Sequence, residues 1–233
     1  MILSTVLALP RIVFVTGTDT GVGKTIVTAA LAAALMSAGR SVAVYKPTQA
    51  GLDNGAGDID IVHRLAGVEV HEGIRLPDPM APIAAARLAS MTLPAAAEHV
   101  ATIRRLAAEH DHTLVEGAGG ILVRLDENGS TLADIATASA ADSDTPGAII
   151  VCRAALGTLN HTELTIEALA HRGIAITGLV IGSWPREPTT VELSNREYIS
   201  RHPAPLLGAI PEQAGNLCPA QFRAAAKDWL QIP

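Results

Sequence analysis

The sequence predicts an α/β fold: a single domain over residues 1–233, with a mostly parallel sheet covered by helices on both faces. Three observations lead there. Short unbroken apolar runs such as RIVFVT and GAIIVC alternate with helix-period segments nearly to the end of the chain. Strands buried on both faces read that way, and helices connecting them make the sheet parallel. The chain of 233 residues is long enough for one large α/β domain and too short for two. Finally, the first apolar run passes through a glycine-rich loop directly into an Ala- and Leu-rich segment, a strand–loop–helix unit.

In chain order, MILSTVLALP (residues 1–10) is apolar but lacks a basic stretch and a small-residue cleavage site, so it reads as a short N-terminal extension of the first strand. RIVFVT is that strand. The following helix runs from Lys24 to Ser37, with Gly39 as its stop. SVAVYK is a second strand, and Lys46-Pro47 is expected to end it abruptly. Helical patterns follow at Asp58–Leu65, Pro82–Leu88 and Ala95–Glu109. HTLVEGAGG is a strand ending in a carboxylate and a glycine cluster. The rest reads as helix Leu132–Ala140, strand GAIIVC, helix Asn160–His171, strand ITGLVIG, helix Val191–Ser200 and strand LLGAIP.

Composition removes several function classes. A net charge of −6 argues against a nucleic-acid surface. The two cysteines, Cys152 and Cys218, make neither a disulfide framework nor a metal cluster. So few cysteines fit a reducing cytoplasm, and each later apolar run is broken by Gly, Pro or charge before it reaches the length of a membrane span, so a soluble enzyme is expected. Lysine occurs only at positions 24, 46 and 227, the remaining basic residues being arginine, which singles out the two lysines near the glycine-rich region.

In GTDTGVGKT, Gly-Lys-Thr closes a phosphate loop of P-loop NTPase-like folds, although the first glycine, Gly17, lies one residue earlier than the common spacing. Loop amides and the helix N-terminus would hold phosphate oxygens. Lys24 would neutralise the β and γ phosphates, and Thr25 would ligate Mg²⁺. Lys46 is expected to point to the top of the sheet. Glu116, at a buried strand end, and Asp58, at a helix start, could complete the metal site, with N-capping the plainer role for Asp58. The glycines at 117, 119 and 120 allow close approach of backbone to a ligand.

The motifs VTGTDTGVGKT, YKPTQAG, GDIDIVHRLAG, PMAPIAAA, TLVEGAGG, LGTLNHTELT and GLVIGSWP, in this order over most of the chain, resemble the dethiobiotin synthetase family. The resemblance implies that the early first glycine is the family's own spacing. It also implies an ATP-dependent cyclo-ligase acting on 7,8-diaminononanoate and CO₂ through a carbamate and a carbamic–phosphoric anhydride. Lys46, Lys24 and Thr20 would then be catalytic. The nucleotide would be held by Asp19, Thr20, Gly21, Val22, Gly23, Lys24, Thr25 and Ile26, with Gly182, Pro211 and Glu212 near the base. Substrate would meet Lys46, Gly119, Gly120 and, from the neighbouring subunit of a homodimer, Gly157, Thr158, Leu159 and Asn160. For that last segment, a helix cap by Thr158 or Asn160 is an alternative.

Two departures stand out. Ala50 replaces a common hydroxyl residue, with Thr48 as a possible substitute donor. Gly182 replaces a base-reading asparagine, which predicts weak base selection, with CTP accepted beside ATP. His110 and His112 read as a turn, Trp184 as loop packing, and Asp126 and Glu127 as a solvated turn. A partner-binding ATPase switch of the MinD/ParA type is the rival function. Its signature lysine in the loop is absent, Asp19 standing in that place.

Overall fold

The computed structural model describes residues 9–51, 55–141 and 145–232. Its elements are β1 (Ile12–Gly17), α1 (Lys24–Ser37), β2 (Val42–Ala50), α2 (Asp58–Ala66), β3 (Glu69–Leu76), α3 (Pro82–Ala89), α4 (Ala96–Glu109), β4 (His112–Gly120), α5 (Leu132–Ser139), β5 (Gly147–Cys152), α6 (Thr158–Ala170), β6 (Ala175–Trp184), α7 (Thr190–Ser200), β7 (Leu206–Pro211) and α8 (Pro219–Trp229). The strands form one parallel sheet in the order β3-β2-β4-β1-β5-β6-β7.

Period-two alternation sends side chains of each strand to two separate cores. Val13 and Val15 of β1 join Val44, Leu114, Ile149 and Val151 beneath α1, α2 and α8. Ile12 and Phe14 join Tyr45, Val115 and Ile150 beneath α4, α5, α6 and α7. With few aromatics, the first core is filled by a helix that is buried almost throughout: Val27, Leu31, Leu35 and five alanines of α1 lie inside it or at its edge.

Three expectations need correction. Of the residues read as an extension of the first strand, Leu9 and Pro10 precede β1 without joining it, and residues 1–8 lie outside the described residues. Strand β2 does not stop at Lys46-Pro47 but runs on to Ala50. It pairs with β4 only over Val42–Tyr45 and beyond that point with β3 alone, and a proline is tolerated on a strand with one open side. Asp126 is buried rather than solvated: its carboxylate accepts from the Ser130 and Ala96 amides (2.8 and 3.2 Å), joining the turn to the start of α4. Strand β3 and helix α8 were not anticipated.

Candidate active site

The register places the site. The β2–β4 ladder ends at Tyr45 opposite Val115, one step before Lys46 and Glu116. The β1–β4 ladder breaks just beyond Val15 opposite Glu116 and resumes at Gly17 opposite Gly120. The strands part at the level of these two charged residues, opening a crevice at the carboxyl edge of the sheet, where ligands of such folds bind.

The phosphate loop fills one side of that crevice. A Cβ on Gly17 would stand 2.7 Å from the Asp19 carbonyl oxygen and 3.1 Å from Lys24 Nζ. The glycine one residue early is therefore what lets the loop fold this tightly. Gly21 and Gly23 take left-handed φ values of 71° and 96°, which a glycine adopts without strain. The Thr18 amide donates to Val151 O (3.0 Å), tying the loop to β5. Val22 is buried, and Ile26 packs against Gly215.

Lys24 and Lys46 belong to one charged cluster. Lys46, 2% exposed, donates to Asp58 Oδ2 (2.5 Å), Glu116 Oε1 (2.8 Å) and Gly117 O (3.0 Å). Thr25 Oγ1 donates to the same Glu116 oxygen (3.1 Å). Lys24 donates to Asp19 O (3.0 Å). Burial and then the Lys46 charge pull the Lys24 ammonium down to about 8, against the Glu116, Asp58 and Asp19 carboxylates. For Lys46, burial also works against the charged form, but Glu116 and Asp58 outweigh it and hold its pKa above the usual lysine value. Burial likewise raises the Asp58 carboxyl, and the Lys46 charge reverses this, leaving it below the usual range.

Asp58 is not the N-cap of α2. Gly57 caps it, and the Asp60 carboxylate accepts from the Gly57 amide (2.7 Å), which leaves the Asp58 side chain to Lys46. The second Glu116 oxygen is buried with no partner among the described residues. A hard cation suits that orphaned atom, with Thr25 and Asp58 beside it, because Mg²⁺ takes one or two carboxylates plus phosphate and water oxygens. No cluster of three His, Cys, Asp or Glu occurs among the described residues.

The glycines of β4 border Thr20: a Cβ on Gly119 would lie 3.3 Å from Thr20 Oγ1. Thr48 Oγ1 is buried without a partner, while Ala50 packs with the Leu76 cluster beneath α3. Gly157 caps α6 in a left-handed conformation with no side-chain cap, so the helix begins at Thr158 and neither Thr158 nor Asn160 is its cap. Asn195 of α7 holds this connection from below, donating to Ala154 O and Ala155 O (2.8 and 3.2 Å).

Gly182 lies under the phosphate loop. A Cβ there would be 2.0 Å from Val22 O and 2.6 Å from Val151 Cγ1, so no side chain fits without displacing the loop. Pro211 and Glu212 instead line a cleft of about 780 Å³ together with Trp184, Arg196 and Gln213. The Glu212 amide donates to Trp184 O (2.8 Å), and the Arg196 guanidinium stands 4.8 Å from the Trp184 ring centre. Trp184 therefore faces a cleft as well as packing a loop. His110 and His112 turn to different partners, Glu69 and Pro10, as a structural turn would. Sequence reasoning missed Arg153, which pairs with Asp19 (2.9 Å). Its signal was its place directly after an apolar strand.

Comparison with known proteins agrees with this geometry. A family model described as an AAA domain matches residues 11–216. Archaeal MinD from Pyrococcus horikoshii, solved with Mg-ADP, superposes with a TM-score of 0.60 at 19% identity, over 93% of this chain and 90% of that one. Chloroplast FtsY from Physcomitrella patens gives 0.57 at 18% identity, over 95% and 66%. Likeness at that level concerns the fold alone. In contrast, the ATP-dependent dethiobiotin synthetase BioD of Streptomyces coelicolor is 51% identical over 229 residues, covering 95% of this chain and 92% of its own. That of Rhodococcus jostii is 50% identical, covering 94% of each. Identity of this extent over nearly the whole of both chains shows that the chain belongs to the ATP-dependent dethiobiotin synthetase family.

Proposed function

We propose that this chain closes the ureido ring of dethiobiotin from 7,8-diaminononanoate, CO₂ and a nucleoside triphosphate, releasing a nucleoside diphosphate and phosphate. One observation carries the reading: Lys46 of β2, bonded to Glu116 and Asp58, and Lys24 at the start of α1, which feels the charge of all three, share one cluster beside a phosphate loop.

An amine of the substrate adds to CO₂ and loses a proton, giving a carbamate. A carbamate oxygen attacks the γ-phosphorus and the nucleoside diphosphate leaves. The second amine then attacks the carbonyl carbon, loses its proton and expels phosphate, which closes the ring. No step needs a nucleophile from the protein. The difficulty is to bring two anions, carbamate and triphosphate, into line, so cations and oriented donors carry the catalysis.

Lys24, now bound to a loop carbonyl, is free to exchange that neutral acceptor for phosphate oxygens. Lys46 reaches the parted strands from the other side and would neutralise the carbamate. Thr20, which borders Gly119, and the Gly119–Gly120 backbone would bond the transferring group. Thr25, Asp58 and Glu116 would hold Mg²⁺, which draws charge from the phosphates when bound. The loop from Asp19 to Ile26 would grip the triphosphate, and Pro211 and Glu212 would flank the base. With no side chain at 182 to read an edge, triphosphates other than ATP, such as CTP, should serve as donors.

The α6 N-terminus, Gly157 to Asn160, presents the positive end of a helix suited to the substrate carboxylate. It would serve the neighbouring subunit of a homodimer. Leu156 beside it is 83% exposed, as an interface residue of the free chain would be. No helix among the described residues is long and apolar enough to cross a membrane.

The test is phosphate release and dethiobiotin formation, measured with and without diaminononanoate and bicarbonate. Both should require both compounds. Phosphate release that ignores them would overturn the reading.

A further inference from the structure

Arg153 has no part in the scheme above, yet it stands beside the loop that scheme depends on. It follows β5 immediately, two residues beyond Val151, whose carbonyl accepts from the Thr18 amide. The next two carbonyls, Ala154 O and Ala155 O, are held by the buried Asn195 side chain. The guanidinium is thus presented from an anchored segment. It donates to Asp19 Oδ2 (2.9 Å), and Arg153 has no other partner among the described residues.

Asp19 itself is tied three ways. Its Oδ1 accepts from the Thr20 amide (2.7 Å), its Oδ2 from Arg153, and its carbonyl from Lys24 Nζ (3.0 Å). A carboxylate at this place in a phosphate loop is a liability. It repels an incoming triphosphate, and its charge is felt at Lys24, which it helps to hold in the loop. An arginine placed on that carboxylate offsets both effects.

We infer that Arg153 is a positioning residue for nucleotide binding: it neutralises Asp19 and so frees Lys24 to turn to the phosphates. Arg153 acts through the loop rather than on the reacting atoms. The pair is exposed, with Arg153 and Asp19 at 41% and 50%, so it adds little to stability. The effect belongs in affinity. This inference rests on the reading of residues 19–26 as the triphosphate site.

The experiment measures calorimetric binding of the magnesium complexes of the β,γ-imido analogue of ATP and of ADP, with melting curves as a check on folding. The proteins are wild type, Arg153→Gln, Arg153→Lys, and Arg153→Gln combined with Asp19→Asn, which keeps an oxygen for the Thr20 amide. Arg153→Gln should bind the triphosphate analogue about tenfold more weakly, as expected for one uncompensated charge several ångströms away. ADP should lose less, because it carries less charge. Arg153→Lys should recover most of the loss, and so should the added Asp19→Asn. In turnover, the nucleotide KM should rise for Arg153→Gln while kcat holds. Wild-type affinity in Arg153→Gln, or a loss that Asp19→Asn leaves untouched, overturns the inference while the nucleotide site stands. Failure of wild type to bind either nucleotide overturns both.

Discussion

Replacing Lys46 by methionine leaves an unbranched side chain, one heavy atom shorter, at a position 2% exposed and removes the ammonium with its charge and its donors. Three acceptors lose their donor at once: Asp58 Oδ2, Glu116 Oε1 and Gly117 O. Glu116 is 1% exposed, so its carboxylate cannot turn to water. Breaking a buried pair in this way typically costs about 3–5 kcal/mol. For a chain of this size each kcal/mol moves the melting midpoint by about 2–4 °C, so Lys46→Met should melt roughly 6–20 °C below wild type. Mg²⁺ should narrow that gap, because a divalent cation can replace the ammonium beside the two carboxylates.

Affinity for nucleotide should change by less than about tenfold, since the phosphate loop and Lys24 remain. Dethiobiotin formation should fall by at least ~10²–10³, the usual consequence of losing one preorganised charge at the reacting centre. The assays are scanning calorimetry with and without Mg²⁺, nucleotide titration, and product formation at saturating substrates. Turnover near the wild-type rate in a variant that melts with wild type would refute the reasoning, because Lys46 would then be neither buried support nor catalytic cation.

Three further outcomes follow from other parts of the structure. Gly182→Ala places a methyl group 2.0 Å from Val22 O, so the phosphate loop must move, and nucleotide affinity should fall by roughly tenfold or more; unchanged affinity would show that the loop yields freely. Burial holds the His99 imidazole below its ordinary pKa of 6.5, against the favouring charges of Glu98 and Asp126, with the Tyr45 hydroxyl on Nδ1. The unfolded chain therefore takes up this proton first as pH falls, so stability is full above pH 6.5 and declines below it. His99→Gln should flatten the fall in melting midpoint between about pH 6.5 and 5, and an identical profile would remove His99 as its cause. Burial also pushes the Cys152 thiol up to about 12, while Cys218 is exposed. At pH near 8 an aromatic disulfide reagent should label only one of the two thiols in the native chain, and both after denaturation.

What the sequence made legible follows from how local each signal is. Helix α1 was read to both ends, because Gly23 and Gly39 bracket a segment with no competing pattern. Strand β3 escaped notice because it is an edge strand: EVHEGIRL keeps most side chains half-exposed and never forms an apolar run. Helix α8 had its signals, Pro219 at the first position and Phe222 and Ala226 four apart on the buried face, but Arg223 between them and Lys227 and Asp228 just beyond masked the stripe. In the site, the loop, Lys46, Asp58 and Glu116 were legible as residue types near the ends or starts of expected elements. Their convergence was not, because it depends on where two ladders stop. Nor was the pairing of Arg153 with Asp19, which joins residues 134 positions apart. Gly182 shows a subtler limit: its missing side chain reads as a lost function, while the fold gives it a steric reason.

The parting of the strands also explains how so much charge can be buried without a ligand. Lys46 and Glu116 would be the next rung of the β2–β4 ladder had the strands stayed together, and a fully paired sheet would leave them no room for anything but each other. Because β4 leaves β2 there and shifts against β1, the carboxylate gains a second open oxygen and the ammonium reaches across to Asp58. Lys46, Asp58 and Glu116 thus compensate one another before any ligand arrives, while Lys24 holds a neutral carbonyl, and binding would be an exchange of partners. In the proposed mechanism phosphate would replace the Asp19 carbonyl on Lys24, and carbamate would enter beside Lys46. Such an exchange needs little reorganisation at the moment of reaction, which is where preorganised electrostatics gains its advantage. The sheet itself is shared with proteins of other functions, as the MinD and FtsY superpositions illustrate. The chemistry therefore has to reside in where this sheet opens and which side chains stand at the opening.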